Sequence, residues 1–251
     1  MTEKSAGEET FISHLIELRD RLVKASIGIA LMFGILALFP GPAAIYDILA
    51  APMIAALPVG SKMIATGVIA PFLVPMKVTM LIAFMLSLPW VFYQVWAFIA
   101  PGLYAHEKKL VLPLVLSSSL LFIGGVAFCY FFVFGRVFAF IAGFSPESIA
   151  VTPDIENYLD FVMSMCLAFG VTFEVPVVVV ILVRMGIVSV AKLKEIRSYV
   201  IVGAFVIAAI VTPPDVVSQL ALAIPMCLLY ELGLLLAPVF VRATQAPEEP
   251  V

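Results

Sequence analysis

The stretch VTMLIAFMLSLPWVFYQVWAFIAPGLYA, residues 78–105, contains no Asp, Glu, Lys or Arg. A helix crosses a bilayer with ~20 largely apolar residues, and a run of this length reads as a membrane span. Similar runs recur along the chain. They set candidate spans at about 23–40, 73–97, 111–135, 159–183, 198–211 and 216–236. The fold class is therefore all-α, a polytopic membrane protein with six transmembrane helices. One membrane domain covers 1–240, and a short acidic tail covers 241–251.

Composition supports this reading. Of 251 residues, 63% are hydrophobic and 12% charged. A soluble domain carries roughly 25% charged residues, so much of this apolar surface must face lipid. The net charge of -3 offers no basic field for nucleic acid. Cys129, Cys166 and Cys227 lie in apolar runs without metal or CxxC spacing, and read as small buried hydrophobes. The polar, acidic start shows no cleavable signal peptide or transit peptide.

Prolines at 40, 42, 52, 58, 71 and 75 punctuate the connection 41–72. Proline breaks helix interiors, so this segment reads as a folded cap with a short helix near Ala43–Leu57, not as a further span. No internal repeat is visible, which disfavours an inverted-repeat transporter.

Lys and Arg set the orientation. With six spans, one side holds Lys4, Arg19, Arg21, Lys24, Lys108, Lys109, Arg184, Lys192, Lys194, Arg197 and Arg242, and the other holds Lys62, Lys77 and Arg136. Positive charge favours the cytoplasm, so both termini are expected there. Spans five and six are short. The former, at ~1.5 Å per residue, falls well short of a ~30 Å core, which predicts locally thinned bilayer.

The segment Phe11-Ile12-Ser13-His14-Leu15-Ile16-Glu17-Leu18-Arg19-Asp20-Arg21-Leu22 has apolar residues at helical spacing, as in an amphipathic helix on the membrane surface. Glu17 and Arg21 are spaced as an i,i+4 pair, worth ~0.2–0.5 kcal/mol. Glu107 follows the turn Pro101-Gly102, where a carboxylate suits the first turn of a helix. Both have a plain structural reading beside a functional one. Glu174, deep in span four and two residues before Pro176, costs at least ~2.5 kcal/mol if charged there. It reads first as functional and second as a structural hydrogen-bonding group. His14 and His106 lack the companions of a metal site. No nucleophile elbow, phosphate loop or HExxH occurs, so neither enzyme chemistry nor a cofactor is expected.

Several separated strings resemble the TatC family, the integral core of the twin-arginine protein translocase. They are Ser13-His14-Leu15-Ile16-Glu17-Leu18-Arg19, Tyr93-Gln94-Val95-Trp96-Ala97-Phe98-Ile99-Ala100-Pro101-Gly102-Leu103 with His106-Glu107, Phe169-Gly170-Val171-Thr172-Phe173-Glu174-Val175-Pro176, and Thr212-Pro213-Pro214-Asp215. The resemblance spans about residues 10–240. It implies a concave, glove-like architecture with a periplasmic cap, in the bacterial inner membrane. It also implies a Sec-independent translocase subunit that binds twin-arginine signal peptides. Such a subunit works with the single-span TatA and TatB proteins and the protonmotive force to export folded proteins.

On this resemblance Glu17 and Glu107 meet the paired arginines, Arg19 tunes the patch and Phe98 walls it. Thr212 and Gln219 dock partner helices, and Glu174 faces the interior. Lys108 and Lys109 stand where arginines are expected in many relatives. The alternative is a proton-coupled small-solute transporter relaying through Glu174. A membrane-embedded hydrolase lacks its catalytic constellation.

Overall fold

The computed structural model describes residues 2–57, 62–99, 111–143, 152–212 and 215–242. Among these residues the chain is helical apart from short connections and one isolated bridge between Ile64 and Asp154. Helix α1 runs Thr2–Leu38 and α2 Pro42–Ala56. Helices α3 (Ala70–Leu86) and α4 (Leu88–Ile99) follow, then α5 (Val111–Phe128) and α6 (Phe134–Gly143), joined by one π-helical turn over Cys129–Val133. Helices α7 (Ile155–Phe173), α8 (Val175–Arg184), α9 (Val190–Glu195), α10 (Arg197–Val211) and α11 (Val216–Arg242) complete the fold.

Four described helical stretches are long and apolar enough to cross a bilayer: Ile12–Leu38, Val111–Ile141, Ile155–Arg184 and Val216–Val239. The pair Ala70–Leu86 and Leu88–Ile99, bent by 55°, makes a fifth if taken as one span. Helix α10 has 15 residues and lies below that length.

The helices depart from the sequence-based expectation in four places. The amphipathic segment before span one is not a separate surface helix. It is continuous with the span, because no proline or glycine lies between Gly7 and Gly28. Span two is bent rather than straight. Pro89, without an amide proton, cannot continue the α3 ladder. The Ser87 amide turns back to the Ala83 and Phe84 carbonyls, and Val91 restarts the ladder on the Ser87 carbonyl at 2.9 Å. Span three continues past Arg136 to Gly143. Span six is not undersized: α11 has 27 residues, and at ~1.5 Å per residue it is longer than a ~30 Å core requires. Only α10 is short.

The described residues fall into two compact units, Met1–Tyr46 with Pro75–Ser119, and Asp47–Val74 with Leu120–Val251. In the first, α1 packs along α4. In the second, α11 packs chiefly on α8 and α10. Gly125 of α5 meets the backbone of Phe169 so closely that an added Cβ would lie 2.5 Å from its carbonyl oxygen.

Prolines in the cap segment leave carbonyls to be satisfied, because a backbone acceptor without a donor is costly in an apolar setting. Pro52 cannot donate to Ile48, and the Tyr130 hydroxyl donates to the Ile48 carbonyl instead, at 2.6 Å. The Tyr158 hydroxyl also donates to the neighbouring Leu49 carbonyl, at 2.9 Å. Asp154 joins the cap segment to α7. One carboxylate oxygen accepts from the Glu156 and Asn157 amides, capping the helix. The other accepts from the Thr66 hydroxyl at 2.7 Å and the Thr66 amide at 3.0 Å. The Thr66 hydroxyl, with these amides, holds the Asp154 carboxyl below its ordinary value.

Candidate functional site

One stripe of α1 meets α4 in antiparallel register. The stripe comprises His14, Glu17, Arg21, Lys24 and Gly28, spaced alternately by three and four residues as on one helix face. At the closed end, a Cβ on Gly28 would overlap the Trp90 indole, so glycine here lets the two helices approach. The Trp90 indole nitrogen donates to the Lys24 carbonyl at 2.9 Å. One turn on, Arg21 reaches the buried Gln94 side chain, with Nη1 3.4 Å from Oε1. Its Nη2 lies 3.2 Å from Glu17 Oε1. At the far end the His14 ring stacks on Phe98, with centroids 4.4 Å apart.

Thus α1 and α4 bring together two expected site residues, Glu17 and Phe98. Glu17 sits half-buried at the seam, with 35% of its side chain exposed. Arg19 stands apart, ion-paired to Asp20 at 2.8 Å on the exposed face; the cation beside Glu17 is Arg21. Glu107 lies outside the described residues, as do His106, Lys108 and Lys109.

Gln94, His14 and Trp90 received no role from the sequence. Their signal was a polar stripe crossing an otherwise apolar helix, but its partner helix could not be read from one chain. Trp96, next in the same string, is buried and donates to the Ser118 hydroxyl at 3.3 Å.

Glu174 occupies the single residue between α7 and α8. Pro176 cannot donate to the Thr172 carbonyl, and the Glu174 amide turns to Val171 at 3.0 Å. The carboxyl is half-buried with Oε1 inside the fold, close in sequence to the buried Thr172. Thr212 and Gln219 are engaged within the chain. The buried Thr212 hydroxyl donates to Ala208 at 2.8 Å. The Gln219 amide donates to Phe205 at 3.3 Å, tying α11 to α10. Near the other end of these helices, Arg197 and Glu231 form a two-pronged ion pair at 2.6 and 2.8 Å. Among the described residues no His, Cys, Asp or Glu cluster suits a metal ion.

Long apolar helices with a few engaged polar side chains define the class: a polytopic α-helical membrane protein. The particular family follows from comparison with known proteins. A family profile described as Sec-independent protein translocase protein (TatC) matches residues 13–225. The chain is 50% identical over 241 residues to the Sec-independent protein translocase protein TatC of Escherichia coli strain K12, covering 96% of this chain and 93% of that one. It is 49% identical over 229 residues to the TatC of Haemophilus influenzae, covering 91% and 89%. A crystal structure of the twin arginine translocase receptor TatC superposes with a TM-score of 0.78 at 37% identity, covering 90% of this chain and 98% of that one. The chain belongs to the TatC family. It is a component of a protein translocase and not an enzyme.

Proposed function

We propose that this chain is the signal-peptide receptor of a twin-arginine translocase in a bacterial inner membrane, and that it acts in export of folded proteins. The observation that carries the reading is the Glu17 carboxylate, half-exposed at the α1–α4 seam within a stripe that ends on Phe98. A guanidinium is a rigid planar fork that matches a carboxylate through two parallel hydrogen bonds, and lysine cannot reproduce it. Glu17 receives one arginine of the signal and Glu107 the other, with Phe98 as the apolar wall. Charge-assisted hydrogen bonds are worth ~1.5–3 kcal/mol each before solvent screening. Arg19, exposed beside the stripe, adds to the local field.

The spans under this reading are α1, the bent pair α3–α4, α5 with α6, α7 with α8, α10 and α11. Both termini lie in the cytoplasm, in keeping with the lysine and arginine distribution. The exposed face of α10, including Val202, Val206 and Ile210, takes the single-span TatA and TatB partners; Gln219 ties α11 to α10 behind it, and the buried Thr212 supports the end of α10 through Ala208. Helix α10, at ~1.5 Å per residue, is too short for a ~30 Å core and favours a thinned bilayer there. Glu174 serves transport or assembly, driven by the protonmotive force, and not the first recognition of the peptide. Family membership favours this reading over the small-solute transporter.

The test is site-specific photocross-linking from positions 17 and 107, comparing a twin-arginine with a twin-lysine peptide. Cross-linking restricted to the arginine peptide, and lost from the remaining position when the other carboxylate is replaced by alanine, is expected. Equal capture of both peptides, or wild-type binding by Glu17→Ala/Glu107→Ala, refutes it.

A further inference from the structure

Resting on that reading, we infer that Arg21 is a built-in surrogate for the peptide's arginine: peptide binding at Glu17 is an exchange, and Gln94 is the acceptor that takes up the displaced Arg21 guanidinium.

Three observations carry this. First, the carboxylate offered to the peptide is already approached by a guanidinium of the same chain, 3.2 Å from Oε1. Second, that contact is weak by the standard of this protein. Arg197 grips Glu231 with two nitrogens on two oxygens at 2.6 and 2.8 Å. Arg21 engages Glu17 through one nitrogen and one oxygen, beyond the ~2.7–2.9 Å of a firm charge-assisted bond. Third, its other terminal nitrogen already points at Gln94 Oε1, 3.4 Å away. Gln94 is buried, with 3% exposure, and its amide side chain is a neutral acceptor fixed on the facing helix.

The guanidinium is therefore shared between two acceptors, held firmly by neither. An incoming arginine approaches from outside the helix and can make both parallel bonds to Glu17. Arg21 then leans fully onto Gln94 and stays solvated at its exposed side, so no charge is stranded. The same logic extends to the end of the stripe. The His14 ring covers a face of Phe98, so the apolar wall too is occupied by the chain itself until the peptide arrives. Without a peptide, Glu17 is thus partly neutralised, and lone cations bind it poorly.

The experiment measures equilibrium binding and dissociation of a fluorescent twin-arginine peptide on the full chain in lipid nanodiscs. Arg21→Gln removes the surrogate and is expected to tighten binding by ~2- to 5-fold, the range of a partly exposed ion pair. Gln94→Leu removes the acceptor, returns Arg21 to Glu17 and weakens binding. Gln94→Glu captures Arg21 more firmly and tightens binding, which keeps the test informative if the leucine variant folds poorly. A merely structural role for these residues would weaken binding in all three. Unchanged or weaker binding by Arg21→Gln, or by Gln94→Glu, overturns the exchange. Wild-type binding by Glu17→Gln instead overturns the receptor reading on which the exchange rests.

Discussion

Gly28→Ala tests whether the α1–α4 seam is built as described. Glycine to alanine inside a helix is normally stabilising, by ~0.8–1.0 kcal/mol. Here the new methyl would overlap Cδ1 and Nε1 of the Trp90 indole and crowd Cγ. Cγ is the root of the ring, so the clash is not relieved at the tip of a flexible chain; Trp90 must rotate away about its first torsion. Overpacking of this kind costs ~1–3 kcal/mol. Rotation also breaks the indole hydrogen bond to the Lys24 carbonyl, worth ~0.5–1.5 kcal/mol. The net expectation is destabilisation by ~0.5–3.5 kcal/mol, opposite in sign to helix propensity alone.

The chain has two tryptophans, so a Trp96→Phe background leaves Trp90 as the sole indole reporter. Unfolding in detergent followed by its emission gives both stability and local environment. The Gly28→Ala variant should unfold more readily, with a shifted folded-state emission. Adding Trp90→Ala should remove most of the penalty, giving a favourable coupling term in a double-mutant cycle whose four arms are followed by circular dichroism, since no indole then remains. A Gly28→Ala protein as stable as the parent, with unmoved emission, would refute the close approach. The register that places Arg21 between Glu17 and Gln94 would fall with it.

Tyr130→Phe should destabilise by ~0.5–1.5 kcal/mol, because it removes the hydroxyl donor of the Ile48 carbonyl, which Pro52 cannot serve; thermal unfolding of the purified protein measures it. For Asp154 the folded state favours the carboxylate. Its contribution is therefore complete at neutral pH, above the ordinary carboxylate range of ~3.9, and is lost as pH falls through the still lower folded value. The difference in melting temperature between the parent and Asp154→Asn should accordingly shrink from pH 7 toward pH 3. Glu174→Ala should leave peptide binding within about 2-fold of the parent, less than a ~1 kcal/mol change, yet slow export of a folded reporter. An unchanged export rate would remove Glu174 from the working machinery.

Much of this protein is legible in its amino-acid sequence. Runs such as residues 78–105 are too apolar and too long for a soluble domain, and the backbone must satisfy itself within lipid, so helices follow directly. The length of α10 and the helix over Pro42–Ala56 could be read because proline and run length act locally. Glu17 and Phe98 could be named as site residues by resemblance. The bend at Ser87 was within reach, since Pro89 signals it, but the surrounding apolar run masked the cue. The continuity of α1 and the full length of α11 were also missed, because charged residues near a span end do not stop a helix.

What the sequence could not determine is which helix faces which. In a soluble protein the apolar face of each helix points to the core. In a bilayer both faces of a span are apolar, and association is set by small residues, close packing and scattered polar contacts instead. Gly28 under Trp90, Arg21 on Gln94, and His14 on Phe98 are contacts between residues 62 to 84 positions apart. Charge and hydropathy established that this chain is a helical membrane protein with several spans. The i,i+4 spacing offered Glu17 its arginine locally; only the tertiary structure showed that the same Arg21 guanidinium also faces Gln94 on the neighbouring helix.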